Sequence, residues 1–187
     1  MKRLSFALVA LSMVVACNNE KTSDDKMSGD KKEEKKETGN ITYPYKADYS
    51  SDFSIGDGNH AKLVLDFFKA WENNSLDDMK PMLTDSVWAN FSDGNKFWGT
   101  SDSLIKTGKQ FRDSYSSVKV VIDGWMPVHS NDKNEDWVLT WSKDYTTDKA
   151  GKVDSLRGHA YYQIKNNKIA GWSDFQQKLV APPPAKK

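Results

Sequence analysis

The sequence has few of the residues that usually build metal and cofactor sites. Its 187 residues include one cysteine and three histidines. A disulfide within the chain is therefore excluded, and the scattered histidines lack the spacing of a metal-ligand set. A glycine-rich phosphate loop and a Gly-x-Ser-x-Gly nucleophile motif are also absent. We therefore expect no metal site and no cofactor.

Charge of either sign is not in excess. The 27 basic residues nearly balance the 26 acidic ones, for a formal net charge of +1. The two signs are interspersed through the second half of the chain, without the basic face that a nucleic-acid-binding domain presents. We therefore expect no nucleic-acid partner.

The first residues have the order of a secretory signal. Lys2 and Arg3 precede a mainly apolar run at 4–15, which is too short to span a bilayer. Small residues lead to the single cysteine, Cys17, so 14–17 resembles the lipobox of bacterial lipoproteins. The resemblance implies a signal peptide at 1–16, lipid on Cys17 and a place in the cell envelope, as an outer-membrane lipoprotein with the bilayer as a partner. A plain signal peptide is the alternative.

Residues 17–58 differ sharply in composition from the apolar run before them and from the rest of the chain. Lysine, glutamate, aspartate, serine and glycine dominate, with alternating charges at 30–37. Such a segment buries too little apolar surface to offset its ordering entropy, so we predict a disordered tether. A short charged helix at 31–36 is the alternative. The proline-rich end at 181–187 is predicted to be a disordered tail.

The remaining segment, 59–180, has the pattern of one α+β domain. Apolar residues recur at helical spacing at 59–74, followed by a short second helix, a hairpin at 87–99 and a third helix. Four strand-like segments joined by turn residues then predict an antiparallel meander. We expect three helices packed on a curved, mainly antiparallel sheet.

This order resembles the NTF2-like superfamily, in particular its SnoaL-like members. The pieces that carry the resemblance are WENNS at 71–75, LTDSV at 83–87, FWG at 97–99 and NKIAGWSD at 167–174. The resemblance implies a cystatin-like cone with a pocket between helices and sheet. It also implies a possible homodimer through the outer face of the sheet. Functions in the superfamily are diverse, so the resemblance supports the fold better than an activity.

Two enzyme subfamilies can be compared at individual positions. Ketosteroid isomerases carry a tyrosine and two aspartates at three matching positions, where this chain has Phe67, Phe91 and Ala160. Limonene epoxide hydrolases carry Tyr-x-Asn, Arg-x-Asp and a final Asp, matched here by the segments 88–90 and 142–144 and by residue 174. The asparagine and both aspartates are kept, but tryptophan replaces the tyrosine and serine replaces the arginine. The three kept residues could hydrogen-bond a polar group on a ligand whose body rests against aromatic side chains. The candidate ligand-binding residues are therefore Trp88, Asn90, Asp144, Tyr162, Trp172 and Asp174.

Two observations bear on whether these residues share one site. Alternation along 136–146 puts Trp137, Leu139 and Trp141 on the more apolar side, which would face the helices and leave Asp144 outside. A β-bulge or a dimer would restore the orientation that the resemblance implies. His159 could join Asp144 and Asp174 in a catalytic set, although a structural hydrogen bond is its more common role.

The function expected from the sequence is therefore that of a membrane-anchored extracytoplasmic protein whose domain binds a small, largely apolar ligand. One alternative is a hydrolase or a dehydratase/isomerase of SnoaL type using Asp144 and Asp174. The other is a protein-interaction module that uses the outer sheet face.

Overall fold

The computed structural model describes residues 41–179. The predicted signal peptide, lipobox and Cys17, the charges at 30–37 and the tail at 181–187 lie outside these residues. Residues 41–44 carry no helix or strand, and residues 45–179 form the unit considered below. Its elements in chain order are β1 (Phe53–Ile55), α1 (Gly58–Glu72), α2 (Leu76–Met79), a short 3-10 turn (Lys80–Met82), β2 (Leu83–Asn90), β3 (Lys96–Thr100), α3 (Ser101–Arg112), β4 (Tyr115–Ser130), β5 (Glu135–Asp148), β6 (Val153–Lys165) and β7 (Lys168–Lys178).

The seven strands form one curved sheet in the order β1-β4-β5-β6-β7-β2-β3. The predicted α+β class, the hairpin and the meander are present. The sheet is nevertheless mixed rather than mainly antiparallel, because β2 runs parallel to β7. The sequence could not show this, since β2 and β7 are joined by no turn and meet only through the crossover of the intervening elements.

The folded part begins before Asn59, inside the range assigned to the tether. Strand β1 pairs antiparallel with β4, and Asp57 accepts a hydrogen bond from the Asn59 amide at 2.8 Å as the N-cap of α1. Ahead of β1, the Tyr49 hydroxyl donates to Glu135 Oε2 at 2.6 Å and accepts from Trp137 Nε1 at 2.9 Å. Three residues of strand and one aromatic anchor give too weak a pattern to stand out in a charged segment.

Helix α1 covers the concave face of the sheet. Its buried residues are His60, Ala61, Val64, Phe67 and Ala70. Phe67 meets Tyr162 and Trp172 of the sheet edge to face, with ring centroids 6.5 and 5.7 Å apart. His60 is buried, and its Nε2 lies 3.1 Å from Asn167 Oδ1. The core of the domain therefore lies between α1 and strands β2, β5, β6 and β7.

A buried arginine joins α1 to α3. Arg112 is 5% exposed, and its guanidinium donates to the carbonyl oxygens of Trp71 and Glu72 at 3.0 and 3.1 Å and of Tyr115 at 3.3 Å. The first two carbonyls lie in the last turn of α1. A cation there donates hydrogen bonds to the terminal carbonyl oxygens and also interacts favourably with the negative end of the helix dipole. The last residue of α3 thus caps the C-terminus of α1.

Candidate functional site

Strand β5 faces the helices with its polar side. Val138, Thr140 and Ser142 are all at most 4% exposed, whereas Trp141 is 39% exposed on the other side. The alternation argument from the apolar residues was therefore wrong, and the orientation implied by the NTF2-like resemblance is present. The reason is that the opposite face is itself partly covered by aromatic contacts, as between Trp137 and Tyr49.

The two aspartates lie on the concave face, on strands that flank β6. Asp174 of β7 pairs with Ala160, and Asp144 of β5 pairs with Leu156. Ala160 is buried in the core, which places Asp174 on the side of the helices. Both aspartates are partly buried.

Asp174 is held from the β2–β3 connection. The Ser92 amide donates to its Oδ2 at 3.3 Å. Burial raises the pKa of Asp174, the bonds from Ser92 lower it in part, and the negative charge of Asp93 raises it again. The side chain is thus oriented by one donor while its charge remains unfavourable.

Asp144 is oriented within its own strand. The Ser142 hydroxyl donates to Asp144 Oδ2 at 3.2 Å. Burial raises the pKa of Asp144, the Ser142 bond lowers it in part, and the negative charge of Asp174 adds to the rise. Ser142 therefore orients a carboxyl group whose charged form is disfavoured by its surroundings.

Gly158 makes room for this arrangement. It lies between the two aspartate strands, and a Cβ there would stand 2.7 Å from Ser142 Oγ and 3.2 Å from Asp144 Oδ2. Any larger residue on β6 would push both oxygens away. The glycine thus fixes the direction in which Ser142 and Asp144 lean.

Tyr162 places a phenol beside the carboxylates. The side chain is 5% exposed. Burial raises the pKa of Tyr162 above its usual range, and the charges of Asp174 and Asp144 raise it further. The hydroxyl forms no hydrogen bond to a described residue. Every fully enclosed polar side-chain atom among residues 41–179 has a partner, so this unbonded hydroxyl must reach the surface of the concave face. It stays protonated, as a donor without an acceptor in the described part of the chain. We call Asp144, Asp174 and Tyr162 the carboxylate cluster.

The carboxylate cluster has an aromatic border, and its carboxylates have no ion-pair partner in the described part of the chain. Trp172 stacks on Tyr162 with ring centroids 6.0 Å apart, and Phe91 meets Trp172 edge to face at 6.2 Å. Within the described residues, neither Asp144 nor Asp174 forms a salt bridge. No group of His, Cys, Asp and Glu in that part of the chain is suited to hold a metal ion.

Two of the six predicted ligand-binding residues lie on the opposite face of the sheet. Trp88 covers Gly171 and its Nε1 donates to Gln163 Oε1 at 3.3 Å, and Asn90 Nδ2 donates to Ser173 Oγ at 2.9 Å. Their neighbour Ala89 is the residue that reaches the core. Trp88 and Asn90 therefore do not meet the carboxylate cluster, since adjacent residues of a strand point to opposite faces.

His159 is also on the outer face and is not part of the site. Its ring lies between Trp141 and Phe175, with centroids 5.3 and 6.2 Å away. Its Nδ1 is 3.0 Å from the Thr140 carbonyl oxygen, so that nitrogen carries the proton and donates. His159 therefore has the structural hydrogen bond that is the more common role of such a histidine.

Sequence reasoning missed three residues of the site: Ser92, Ser142 as a donor, and Gly158. Ser142 was treated only as the loss of an arginine. Gly158 carries the one usable signal, because a glycine inside an otherwise alternating strand indicates a close approach by a neighbour.

Comparison with known proteins separates the fold from the function. No protein-family model and no curated protein matches the chain. Solved structures match it well in shape: an LEH-like epoxide hydrolase of M. tuberculosis (TM-score 0.53, 15% identity, 64% of this chain and 83% of that one) and an NTF2-like protein of unknown function from Burkholderia pseudomallei (TM-score 0.54, 14%, 65% and 92%).

A third match, assigned to the SnoaL-like polyketide cyclases and found in Jannaschia sp. CCS1, has a TM-score of 0.54 at 12% identity and covers 70% of this chain and 97% of its own. The fold is NTF2-like. Identities this low carry the architecture alone, so the activity of the NTF2-like domain has to be argued from its own side chains.

The chemistry available at the cluster is that of hydrogen bonding and proton exchange. Two partly buried carboxylates with raised pKa values can accept hydrogen bonds or exchange a proton with a bound group. The Tyr162 hydroxyl can donate a hydrogen bond to an oxygen of a ligand that also contacts one of the carboxylates. The arrangement lacks the arginine that separates the two carboxylates in the epoxide hydrolase pattern.

Proposed function

We propose that this protein is an envelope lipoprotein whose NTF2-like domain binds a small, largely apolar ligand at the carboxylate cluster. The observation that carries the proposal is the hydroxyl of Tyr162. Its side chain is almost fully buried, the hydroxyl is bonded to no described residue, and it stands beside two carboxylates without a counter-ion. The hydroxyl is thus presented at the surface of the concave face, where a polar group of a ligand can pair with it and with the carboxylates.

The body of the ligand would rest on the aromatic border. Phe91 is 37% exposed and Trp172 packs beneath it, next to the donor from Ser92 that orients Asp174. Small-molecule sites usually combine apolar contacts of this kind with a few polar groups, which here are Asp174 and Tyr162. The ligand therefore has an apolar body and at least one polar group at one end.

Binding can be tested by following tryptophan fluorescence and melting temperature against a panel of small hydroxylated and aminated compounds. Tyr162→Phe removes the unpaired hydroxyl and keeps the ring, so it should lower affinity by about tenfold for a ligand that bonds to it. The matched control is Tyr161→Phe, on the outer face. Equal affinity in Tyr162→Phe and wild type, for every compound that binds, would contradict the proposal.

Anchoring is a separate part of the proposal and rests on the sequence at 14–17. Lipid on Cys17 would hold the domain at the membrane surface, and no helix among residues 41–179 is long and apolar enough to span a membrane. Cys17→Ser should move the protein from the membrane fraction to the soluble fraction. Failure of the wild type to incorporate a labelled fatty acid would refute this part alone.

A hydrolase or dehydratase/isomerase is a second candidate, favoured by one observation. Asp144 and Asp174 lie on the same face, and the charge of Asp174 helps to raise the pKa of Asp144, as in sites where two carboxylates share catalytic work. Against it, Ser142 stands where the hydrolases have arginine. Turnover of an epoxide or a hydroxylated polyketide-like compound that disappears in Asp174→Asn would favour the enzyme over the binding protein.

The outer face of the sheet supports a third candidate, pairing with a second copy or another protein. Met126, Trp141 and Phe175 are between 39% and 54% exposed there, and Trp98 on the edge strand is 82% exposed. Exposed apolar residues in such number mark interaction surfaces. Sedimentation of the wild type and of Phe175→Lys would test a dimer through this face, which predicts a monomeric variant.

A further inference from the structure

The ligand class follows from the charge around the carboxylate cluster, and this step rests on the proposed function. We infer that the site takes an organic cation, an amine or quaternary ammonium group attached to an apolar body. The ammonium group would lie between Asp144 and Asp174, and the body would lie against Phe91 and Trp172.

The carboxylates supply the first argument. Both are partly buried, and the described part of the chain gives neither a salt bridge. The neighbouring carboxylate Asp93 adds negative charge, and Lys178, which lies in the same row of the sheet as Asp144, is paired with Asp154 at 3.7 Å. Partly desolvated charges of one sign are stabilised most by a counter-charge, so a cation is the complementary ligand.

The aromatic border supplies the second argument. Trp172, Tyr162 and Phe91 form a chain of ring contacts beside Asp174, with centroids 6.0 and 6.2 Å apart. Faces of aromatic rings attract cations by about 0.5–2 kcal/mol, more when water is excluded. Carboxylates and aromatic rings together select an organic cation over a metal ion, which needs oxygen ligands on all sides.

Tyr162 and Ser142 supply the third argument. The Tyr162 hydroxyl has no described acceptor, and Ser142 already gives its proton to Asp144. Neither residue brings positive charge. A cation that neutralises Asp144 and Asp174 would leave Tyr162 free to donate to a hydroxyl or carbonyl on the same ligand.

The experiment compares cations with neutral compounds of the same shape by calorimetry. One pair is choline and its carbon analogue, in which a tert-butyl group replaces trimethylammonium. The other pair is phenethylamine and phenethyl alcohol. In at least one pair the cation should bind about tenfold or more tightly, and Asp144→Asn and Asp174→Asn should each remove most of that preference.

Asp123→Asn is the matched control, because this carboxylate pairs with Lys143 on the outer face and should leave the preference unchanged. Acidification from about pH 7.5 to about pH 4.5 should weaken choline binding, since choline keeps its charge while the carboxylates lose theirs. Asp93 acts on Asp174, and the Asp154–Lys178 pair has its lysine in the row of Asp144. Asp93→Asn should change the pH dependence only slightly.

The possible outcomes separate the two proposals. Neutral compounds that bind as tightly as their cationic partners would overturn the cation inference and leave the proposed binding function standing. Absence of binding by all four compounds would overturn the cation inference, and the proposed function would then depend on the wider panel. A cation preference that survives in both Asp144→Asn and Asp174→Asn would place the cation elsewhere and also overturn it.

Discussion

Trp88 lies directly over Gly171, across the parallel pair of strands β2 and β7. A Cβ at residue 171 would be closer to the indole ring than van der Waals contact allows, and the indole Nε1 donates to Gln163 on the next strand. The tryptophan therefore has a structural role, clamping the only parallel pair of the described sheet from outside.

Gly171→Ala should destabilise the domain, because the added methyl group would displace the indole. Overpacking of this kind costs about 1–3 kcal/mol. Urea denaturation would measure the loss. Gly58→Ala is the matched control, since nothing lies within 4 Å of a Cβ there. Trp88→Leu added to Gly171→Ala should recover part of the loss, and a double variant no more stable than additivity predicts would count against the clamp.

Asp144→Asn should stabilise the domain at neutral pH. The folded carboxyl has a raised pKa, so the folded state holds its proton more tightly than the unfolded state does. Wild-type stability therefore falls as pH rises from the ordinary carboxyl pKa through the raised one, and the amide has no such penalty. The gain in melting temperature should be larger at about pH 7.5 than at about pH 4.5. An equal gain at both values would show that charge is not its cause.

Arg112→Ala should be among the more damaging single changes in the domain. It removes the guanidinium that donates to the carbonyl oxygens of Trp71, Glu72 and Tyr115, at a cost of about 2–4 kcal/mol. Arg112→Lys keeps the charge and should recover part of this. Lys109→Ala, which breaks an exposed pair with Asp77, should cost about 0–1 kcal/mol. Similar melting temperatures for the two alanine variants would contradict the capping role.

A chain that starts at Ser54 should be less stable than one that starts at Tyr45. The longer form keeps the hydrogen bonds of the Tyr49 hydroxyl with Trp137 and Glu135. It also keeps the hydrogen bond from the Ser50 hydroxyl to Asp132 Oδ1 at 2.5 Å. Loss of these contacts should cost on the order of 1–3 kcal/mol. In the longer form, Tyr49→Phe should reproduce part of the loss by removing both hydrogen bonds. Identical melting curves would show that residues 45–53 do not contribute to the stability of the domain.

The sequence by itself determined the order of the elements. Helical spacing at 59–74, the hairpin at 87–99 and the third helix are all local signals, and each appears in the structure. They are readable because periodicity and turn chemistry act between residues that are close in the chain. The resemblance to NTF2-like proteins came from that order.

Only the tertiary structure decided which side chains share the site. Trp88 and Asn90 lie on the opposite face of the sheet from Trp172 and Asp174. The reason is that β2 pairs with β7 in a register that turns Ala89, rather than its two neighbours, toward the core. β5 turned Thr140 and Ser142 inward although Trp141 is more apolar, since the burial of each face depends on what covers it. Strand pairing and face coverage join residues far apart in the chain, and no local pattern encodes them.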